Sequence, residues 1–162
     1  MTLIRKVSPQ DAGAITDIYN HYITDTTISF ETAPLTIKQM AARIAEISSE
    51  YPYFVAETNG EVVGYCYAHP WKERAAYSAT LETTVYLLAH NTEKGIGREL
   101  MNRLIDKCRA GGFHTLIACI TADNTASCAF HEKLGFVKRS EFKEVGCKFG
   151  KWLDVVDYQL IL

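Results

Sequence analysis

A predicted strand, a short loop with two glycines and a predicted helix follow one another near the middle of this sequence, and this order constrains the fold most. Residues 80–88 have strand character, and the helix begins near Gly95 and Gly97. A helix start exposes N–H groups without internal partners and carries partial positive charge, and glycine lets a ligand approach the backbone. The segment therefore predicts an anion site suited to a phosphate or pyrophosphate. An acidic residue, Glu82, lies on the strand that leads into it.

The two glycines alone do not identify the ligand. The segment lacks the third glycine of the dinucleotide-binding fingerprint and the Gly-Lys-Ser/Thr of a Walker A loop. A tight turn from strand to helix that binds nothing would give the same pattern. The functional interpretation therefore depends on the residues that accompany the loop.

Composition excludes several classes of protein. The 162 residues correspond to a single domain, expected over residues 1–162, and 48% hydrophobic and 22% charged residues are typical of a globular protein. A net charge of −2 argues against nucleic-acid binding, and no apolar run approaches the ~20 residues that cross a membrane. The five cysteines form no C-x-x-C pair, which argues against a disulfide framework or a bound metal. We therefore expect a cytoplasmic protein with reduced thiols.

Strand and helix patterns alternate along the chain. Strand character is found in residues 2–7, 53–57, 62–67, 80–88, 115–120, 136–143 and 154–162. Helical spacing runs from Pro9 to about Tyr22, from Thr36 on, from Gly97 to Gly111, and over residues 124–134. Loops are predicted over residues 24–34, 69–74 and 146–152, and Asn59-Gly60 predicts a hairpin turn. The order predicts an α/β or α+β domain around one mixed sheet.

Several motifs recur in one enzyme superfamily. They are Val85-Tyr86-Leu87, Lys94-Gly95-Ile96-Gly97, Asn124, the run from His131 to Phe136, and Gly146-x-Lys148-x-Gly150-x-Trp152-x-Asp154. Together they resemble the GCN5-related N-acetyltransferase (GNAT) superfamily, most closely its phosphinothricin and methionine sulfoximine/sulfone acetyltransferase group. The resemblance implies a GNAT-like acyl-CoA N-acyltransferase fold. In that fold a central mixed, mostly antiparallel sheet, flanked by about four helices, is splayed between its fourth and fifth strands.

The resemblance also implies acetyl-CoA as co-substrate, bound in the splay without a metal. Its pantetheine arm would pair with the backbone of Val85, Tyr86 and Leu87, and Asn124 would bind the same arm. Its pyrophosphate would meet backbone N–H groups of the glycine loop, at Glu93, Lys94, Gly95, Ile96, Gly97 and Arg98.

Two residues are predicted to take part in the chemistry. Glu82 is the candidate base that deprotonates the acceptor ammonium, directly or through water, and partial burial would raise its pKa. Alternatively, this carboxylate anchors a loop or binds the ammonium. By its family position, His131 is the candidate proton donor to the leaving thiolate, although a helical histidine is more often structural.

Loop residues are predicted to form the acceptor wall: Phe30, Glu31, Trp71, Lys72, Arg74 and Tyr77. Arg74 suits a carboxylate of the acceptor, unless Arg74 and Lys72 are solvated surface charges. The resemblance implies a small amino-acid-like amine as acceptor and a homodimer, with no nucleic-acid or membrane partner. Two alternatives stay open, a GNAT-fold protein or peptide N-acetyltransferase and a non-catalytic acyl-CoA-binding sensor.

Overall fold

The computed structural model describes residues 1–92 and 95–162. The strands described are β1 (Thr2–Lys6), β2 (Tyr53–Thr58), β3 (Glu61–Pro70), β4 (Thr80–Leu87), β5 (Thr115–Thr121), β6 (Val137–Lys148) and β7 (Lys151–Ile161). The α-helices described are α1 (Ala12–Asp25), α2 (Ile37–Glu50), α3 (Ile96–Ala110) and α4 (Thr125–Lys133).

The strands form one mixed sheet in the order β1-β2-β3-β4-β5-β7-β6. Neighbouring strands are antiparallel, except that β4 and β5 are parallel. The β4–β5 ladder ends at the pair Glu82–Ile117, while β4 continues to Leu87. The predicted mixed sheet with a splay between the fourth and fifth strands is confirmed.

Helices cover both faces of the sheet. On β2, Phe54 packs in the cluster that contains Leu100 and Leu104 of α3, whereas Val55 packs with Ile15 of α1. This alternation follows from the two-residue period of a strand. Burial of each such aliphatic side chain stabilises the fold by roughly 1.5–3 kcal/mol. Among the described residues, no helix combines the length and the apolar character that a membrane span requires.

Local signals set several element boundaries. At the start of α2, the Thr36 hydroxyl accepts from the Gln39 N–H at 3.1 Å, and Gln39 Oε1 accepts from the Thr36 N–H at 2.8 Å. The β2–β3 turn has Asn59 at φ 53° and Gly60 at φ 84°, as the hairpin prediction required. The first helix differs from its prediction: Pro9–Asp11 is a 3₁₀ turn, and α1 continues to Asp25, into the predicted loop.

Two predicted loops are partly strand. Residues 69 and 70 belong to β3, which extends to Pro70. The predicted loop over residues 146–152 is the end of a hairpin, with its turn at Phe149 (φ 52°) and Gly150 (φ 71°). The extra residues of β6 form a bulge, which the Asp154 carboxylate stabilises by accepting from the Glu144 N–H at 2.8 Å.

Candidate active site

The open edge of β4 follows from its register with β3. Leu88 N–H donates to Val63 C=O at 2.9 Å, and Trp71 N–H donates to Thr80 C=O at 3.3 Å. The register between these bonds is continuous, so alternate residues of β4 direct their backbone groups toward β3. Residues 85 and 87 therefore direct their backbone N–H and C=O groups away from β3, into the gap beyond the point where the ladder with β5 has ended.

Part of this edge is already satisfied by a side chain. The Tyr22 hydroxyl donates to Leu87 C=O at 2.5 Å. The N–H and C=O of Val85 and the N–H of Leu87 remain on the gap side without a strand partner within the described residues. An extended ligand with amide groups can pair with such an edge as an added strand. The backbone of Tyr86 faces β3, so the register favours Val85 and Leu87 for this role.

The predicted anion site lies at the start of α3. Gly95, its N-cap, has φ 76° and open space around its Cα, a conformation that favours glycine. Gly97 is constrained differently, because a Cβ there would lie 3.3 Å from Leu87 Cδ1 and 3.5 Å from Phe130 Cζ. Ile96 is buried and Arg98 is exposed. The predicted contacts at Glu93 and Lys94 lie outside the described residues.

Two cavities meet at Glu82. The larger, of about 480 Å³, is lined by Tyr19, Phe30, Glu31, Tyr67, His69 and Glu82, among others. The smaller, of about 130 Å³, lies in the gap, and its lining includes Glu82, Val85, Asn124 and His131. The Glu82 carboxylate therefore stands between the open edge of β4 and the larger cavity. A general base that acts on one substrate beside another would need such a position.

The surroundings of Glu82 favour its neutral form more than water does. Burial raises the pKa of Glu82, while the charge of His69 and a hydrogen bond from the Cys119 thiol oppose the rise. The charge of Asp157 adds to the rise. A carboxylate whose pKa moves toward neutrality is a better general base than an ordinary glutamate.

His131 is a buried residue with a defined tautomer. Its Nδ1 lies 2.8 Å from Ser127 C=O, and because a carbonyl only accepts, Nδ1 carries the hydrogen. Burial lowers the pKa of His131, which favours the neutral ring. In that state Nε2 is an acceptor, which does not suit a direct proton donor. The predicted role of His131 therefore needs the charged form that its surroundings disfavour.

Asn124 has a local structural role in addition to its predicted one. It is the N-cap of α4, and its Oδ1 accepts from the Ser127 N–H at 3.2 Å. The residue also lines the smaller cavity, where the resemblance places the cofactor arm. The cap uses one acceptor site of the side-chain oxygen and leaves the amide N–H groups available for the predicted cofactor contact.

Two of the six predicted acceptor residues join Glu82 at the larger cavity. Phe30 and Glu31 line it, and the Glu31 carboxylate accepts from Arg43 at 2.8 and 2.6 Å and also from the Tyr19 hydroxyl. In the part of the chain that the structure describes, neither cavity is lined by Trp71, Lys72, Arg74 or Tyr77.

These four residues form a separate group on the surface loop after β3. The rings of Trp71 and Tyr77 meet edge to face at 5.4 Å, and the Lys72 ammonium lies 4.2 Å from the centroid of the Trp71 ring. Arg74 is exposed. In this chain alone, the structure does not bring Arg74 to the acceptor cavity, and its predicted pairing with an acceptor carboxylate stays a prediction.

Sequence reasoning missed one residue that lines the larger cavity and one that supports its wall. His69 was assigned to a loop, although the alternation Tyr65, Tyr67, His69 would have placed it on the face shared by the two tyrosines. Lys148 is buried, and its ammonium donates to Ser29 C=O at 2.6 Å, which fixes the segment that carries Phe30. No sequence signal pointed to that contact, because it joins residues far apart in the chain.

The comparison with protein families identifies the architecture around this site. The model of the acetyltransferase (GNAT) domain matches residues 4–156. The chain belongs to the GNAT family of acetyltransferases. The GNAT fold expected from the motifs is therefore confirmed, with its parallel β4–β5 pair and open β4 edge.

Individual GNAT relatives agree over nearly the whole chain. A phosphinothricin N-acetyltransferase of Streptomyces viridochromogenes is 38% identical, over 96% of this chain and 85% of that protein. An L-methionine sulfoximine/L-methionine sulfone acetyltransferase of Salmonella typhimurium is 38% identical, over 98% and 94%. A phosphinothricin acetyltransferase structure from Sinorhizobium meliloti, in complex with acetyl-CoA, has a TM-score of 0.96 and 35% identity, covering 99% of this chain and 88% of that one.

Proposed function

We propose that this GNAT enzyme, acting as one catalytic domain over residues 1–162, transfers an acetyl group from acetyl-CoA to the amine of a small amino-acid-like acceptor. The acceptor class is that of phosphinothricin, methionine sulfoximine and methionine sulfone, the compounds in the names of two of its relatives. Transfer is direct, within a complex that holds both substrates. The observation that carries the proposal is the place of Glu82 between the unpaired edge of β4 and the larger cavity.

The residues present fit acetyl-CoA. Val85 and Leu87 offer backbone donors and an acceptor to the amides of an extended arm, and the first turn of α3 offers N–H groups to a diphosphate. Acetyl-CoA would supply the acetyl group in activated thioester form. Among residues 1–92 and 95–162, no group of three or more His, Cys, Asp or Glu side chains is placed to hold a metal ion.

Side chains of the protein supply the base and the wall of the acceptor site. Glu82 accepts a proton from the acceptor ammonium, directly or through water, because only the free amine is a nucleophile. Phe30 and the Glu31–Arg43 pair shape the wall against which the acceptor is held.

Thiol release tests the proposal. The protein is mixed with acetyl-CoA and L-methionine sulfone, methionine sulfoximine or phosphinothricin, and free CoA thiol is measured between pH 6 and 9. The wild-type rate should rise with pH as Glu82 loses its proton. Glu82→Gln should lose at least about a hundredfold in turnover, while CoA binding, measured by calorimetry, is retained. An equal rate for Glu82→Gln at every pH would remove Glu82 from the mechanism.

The same assay separates the two alternatives. A peptide or protein acetyltransferase would release thiol with a peptide library and not with the three amino-acid analogues. A sensor would bind CoA and release no thiol with any amine. Either result would replace the proposed function.

We also propose that the enzyme is a homodimer. Four large apolar side chains of the β6–β7 hairpin are 51–65% exposed: Phe142, Val145, Phe149 and Trp152. Grouped exposed apolar side chains favour association. Sedimentation should give twice the chain mass, and Trp152→Lys should lower it to one chain. A wild-type monomer at tens of micromolar would refute the dimer.

A further inference from the structure

His69 and Glu82 are directly opposite each other in the β3–β4 ladder. Opposite residues of an antiparallel pair place their side chains on one face, with Cβ atoms about 4.5–5.5 Å apart. Both residues line the larger cavity. The candidate base therefore has an imidazole as its neighbour on the acceptor side, a residue for which the mechanism above has no role.

The tautomer of His69 leaves one nitrogen able to accept a proton. Its Nδ1 lies 3.0 Å from Pro70 C=O, and because that oxygen only accepts, Nδ1 carries the hydrogen. The neutral ring then has a lone pair on Nε2. His69 is half-buried and precedes the exposed Pro70 at the end of β3, so the ring lies between cavity and surface.

Other ionisable groups also face this pair and set the background for any pH effect. Around Glu82 they are Cys119 of β5 and Asp157 of β7. Around His69 they are Tyr67 of β3 and, on the opposite wall of the larger cavity, the ion pair of Glu31 with Arg43. Each of them stays in place when His69 alone is replaced. A change confined to His69 variants is therefore assigned to the imidazole.

We propose that His69 is a positioning residue that acts through Glu82, taking up the proton that Glu82 removes from the acceptor and passing it to water. The inference rests on the proposed function. An N–H bond of the ammonium breaks and its proton moves to the Glu82 carboxylate. The proton then moves to Nε2 of His69, and the imidazolium releases it to solvent. No oxidation state changes, and both side chains return to their starting forms.

The first test measures the protonation of Glu82 without activity. The glutamate carboxyl carbons are labelled with ¹³C, the Glu82 signal is assigned by its loss in Glu82→Gln, and its titration is followed by NMR. Proton uptake turns His69 into an imidazolium, whose charge favours the Glu82 carboxylate, so His69→Gln should move the midpoint of Glu82 up by about half to one pH unit. The control His114→Gln, which removes an exposed imidazole outside both cavities, should leave it unchanged.

The second test measures turnover. In His69→Gln the acid limb of the rate profile should move up with the midpoint, and turnover near pH 7 should fall about tenfold. In His69→Ala, which leaves space for a small base, added imidazole should restore most of the loss, whereas it should not affect the wild type.

The outcomes separate the two proposals. A fall in rate with an unchanged midpoint, or with no rescue by imidazole, overturns the role of His69, because a purely structural histidine would give that result. If none of the tested amines makes the wild type release thiol from acetyl-CoA, the proposed function fails. In that case the carboxyl titration still decides whether His69 controls Glu82.

Discussion

Removal of the Tyr22 hydroxyl tests whether the edge of β4 depends on a side-chain cap. The hydroxyl donates to Leu87 C=O at 2.5 Å, at the point where β4 has no neighbouring strand on its gap side within the described residues. Burial raises the pKa of Tyr22, so the hydroxyl keeps its proton at neutral pH. Tyr22→Phe removes this donor and keeps the ring, which packs 4.7 Å from the ring of Tyr86.

The expected cost follows from the burial of the acceptor. Leu87 is 9% exposed, so its carbonyl gains little hydration when the donor is lost. A lost hydrogen bond costs about 1 kcal/mol, and a buried group left without a partner costs about 1–3 kcal/mol. We expect Tyr22→Phe to lower the free energy of unfolding by about 1–2 kcal/mol. For a chain of this length, that corresponds to a fall in Tm of about 2–8 °C.

Thermal denaturation followed by circular dichroism measures the effect. The matched control is Tyr51→Phe, because Tyr51 is a half-buried tyrosine whose hydroxyl has no hydrogen-bond partner among the described residues. Its Tm should change by less than about 1 °C. If Tyr22→Phe is as stable as this control, the carbonyl of Leu87 is satisfied without the hydroxyl, and the account of the β4 edge is wrong.

Three further substitutions test other parts of the structure. Burial alone would raise the pKa of Asp11, but hydrogen bonds from Arg5 and the backbone lower it. Asp11→Asn should therefore lower the free energy of urea unfolding by about 2 kcal/mol at pH 7, and by progressively less below about pH 4. Gly95→Ala meets no clash but must adopt φ 76°, and should cost about 1 kcal/mol in the same assay. Gly146→Ala would place a Cβ 2.3 Å from Phe30 Cε2, and the displaced ring should raise KM for the acceptor and leave CoA affinity, measured by calorimetry, unchanged. A cost of Asp11→Asn that is the same at every pH, an unchanged unfolding free energy for Gly95→Ala, or an unchanged KM for Gly146→Ala would contradict the corresponding prediction.

The order of elements was predictable because each carries a local signal. Thr36 with Gln39 and Asn59 with Gly60 each determine a cap or a turn within four residues of sequence, and both predictions are confirmed. The splay was predicted through the family motifs and is confirmed by the end of the β4–β5 ladder. These features need no knowledge of distant contacts.

The errors in element boundaries arose where a proline or a glycine was given more weight than the two-residue period of a strand. Pro70 suggested that β3 ends early, although a proline is tolerated at the end of a strand. Gly146 and Gly150 suggested a loop, although one lies within β6 and the other closes a tight turn. The first error hid His69 from the site, because its strand was taken to end before it.

The acceptor wall was less predictable than the cofactor side for a physical reason. The cofactor side uses backbone groups of consecutive residues, whose direction follows from register alone. The acceptor wall is built from side chains that distant elements position, as the Lys148 ammonium does by donating to Ser29 C=O across 119 residues of sequence. Such contacts leave no periodic signal.

Side-chain hydroxyls satisfy a carbonyl near each end of the gap beside β4, one carbonyl on β5 and one on β4. The Thr83 hydroxyl donates to Ile117 C=O at 3.4 Å where the ladder ends, and the Tyr22 hydroxyl donates to Leu87 C=O. Residues 83 to 87 span about 13 Å of strand. On the gap side of β4, residues 80–82 already pair with β5, and the Leu87 C=O already accepts from the Tyr22 hydroxyl. An extended ligand would therefore find open backbone groups at Val85 and at the Leu87 N–H. A ligand strand that pairs with Val85 would have one end near Glu82, where β4 and β5 part.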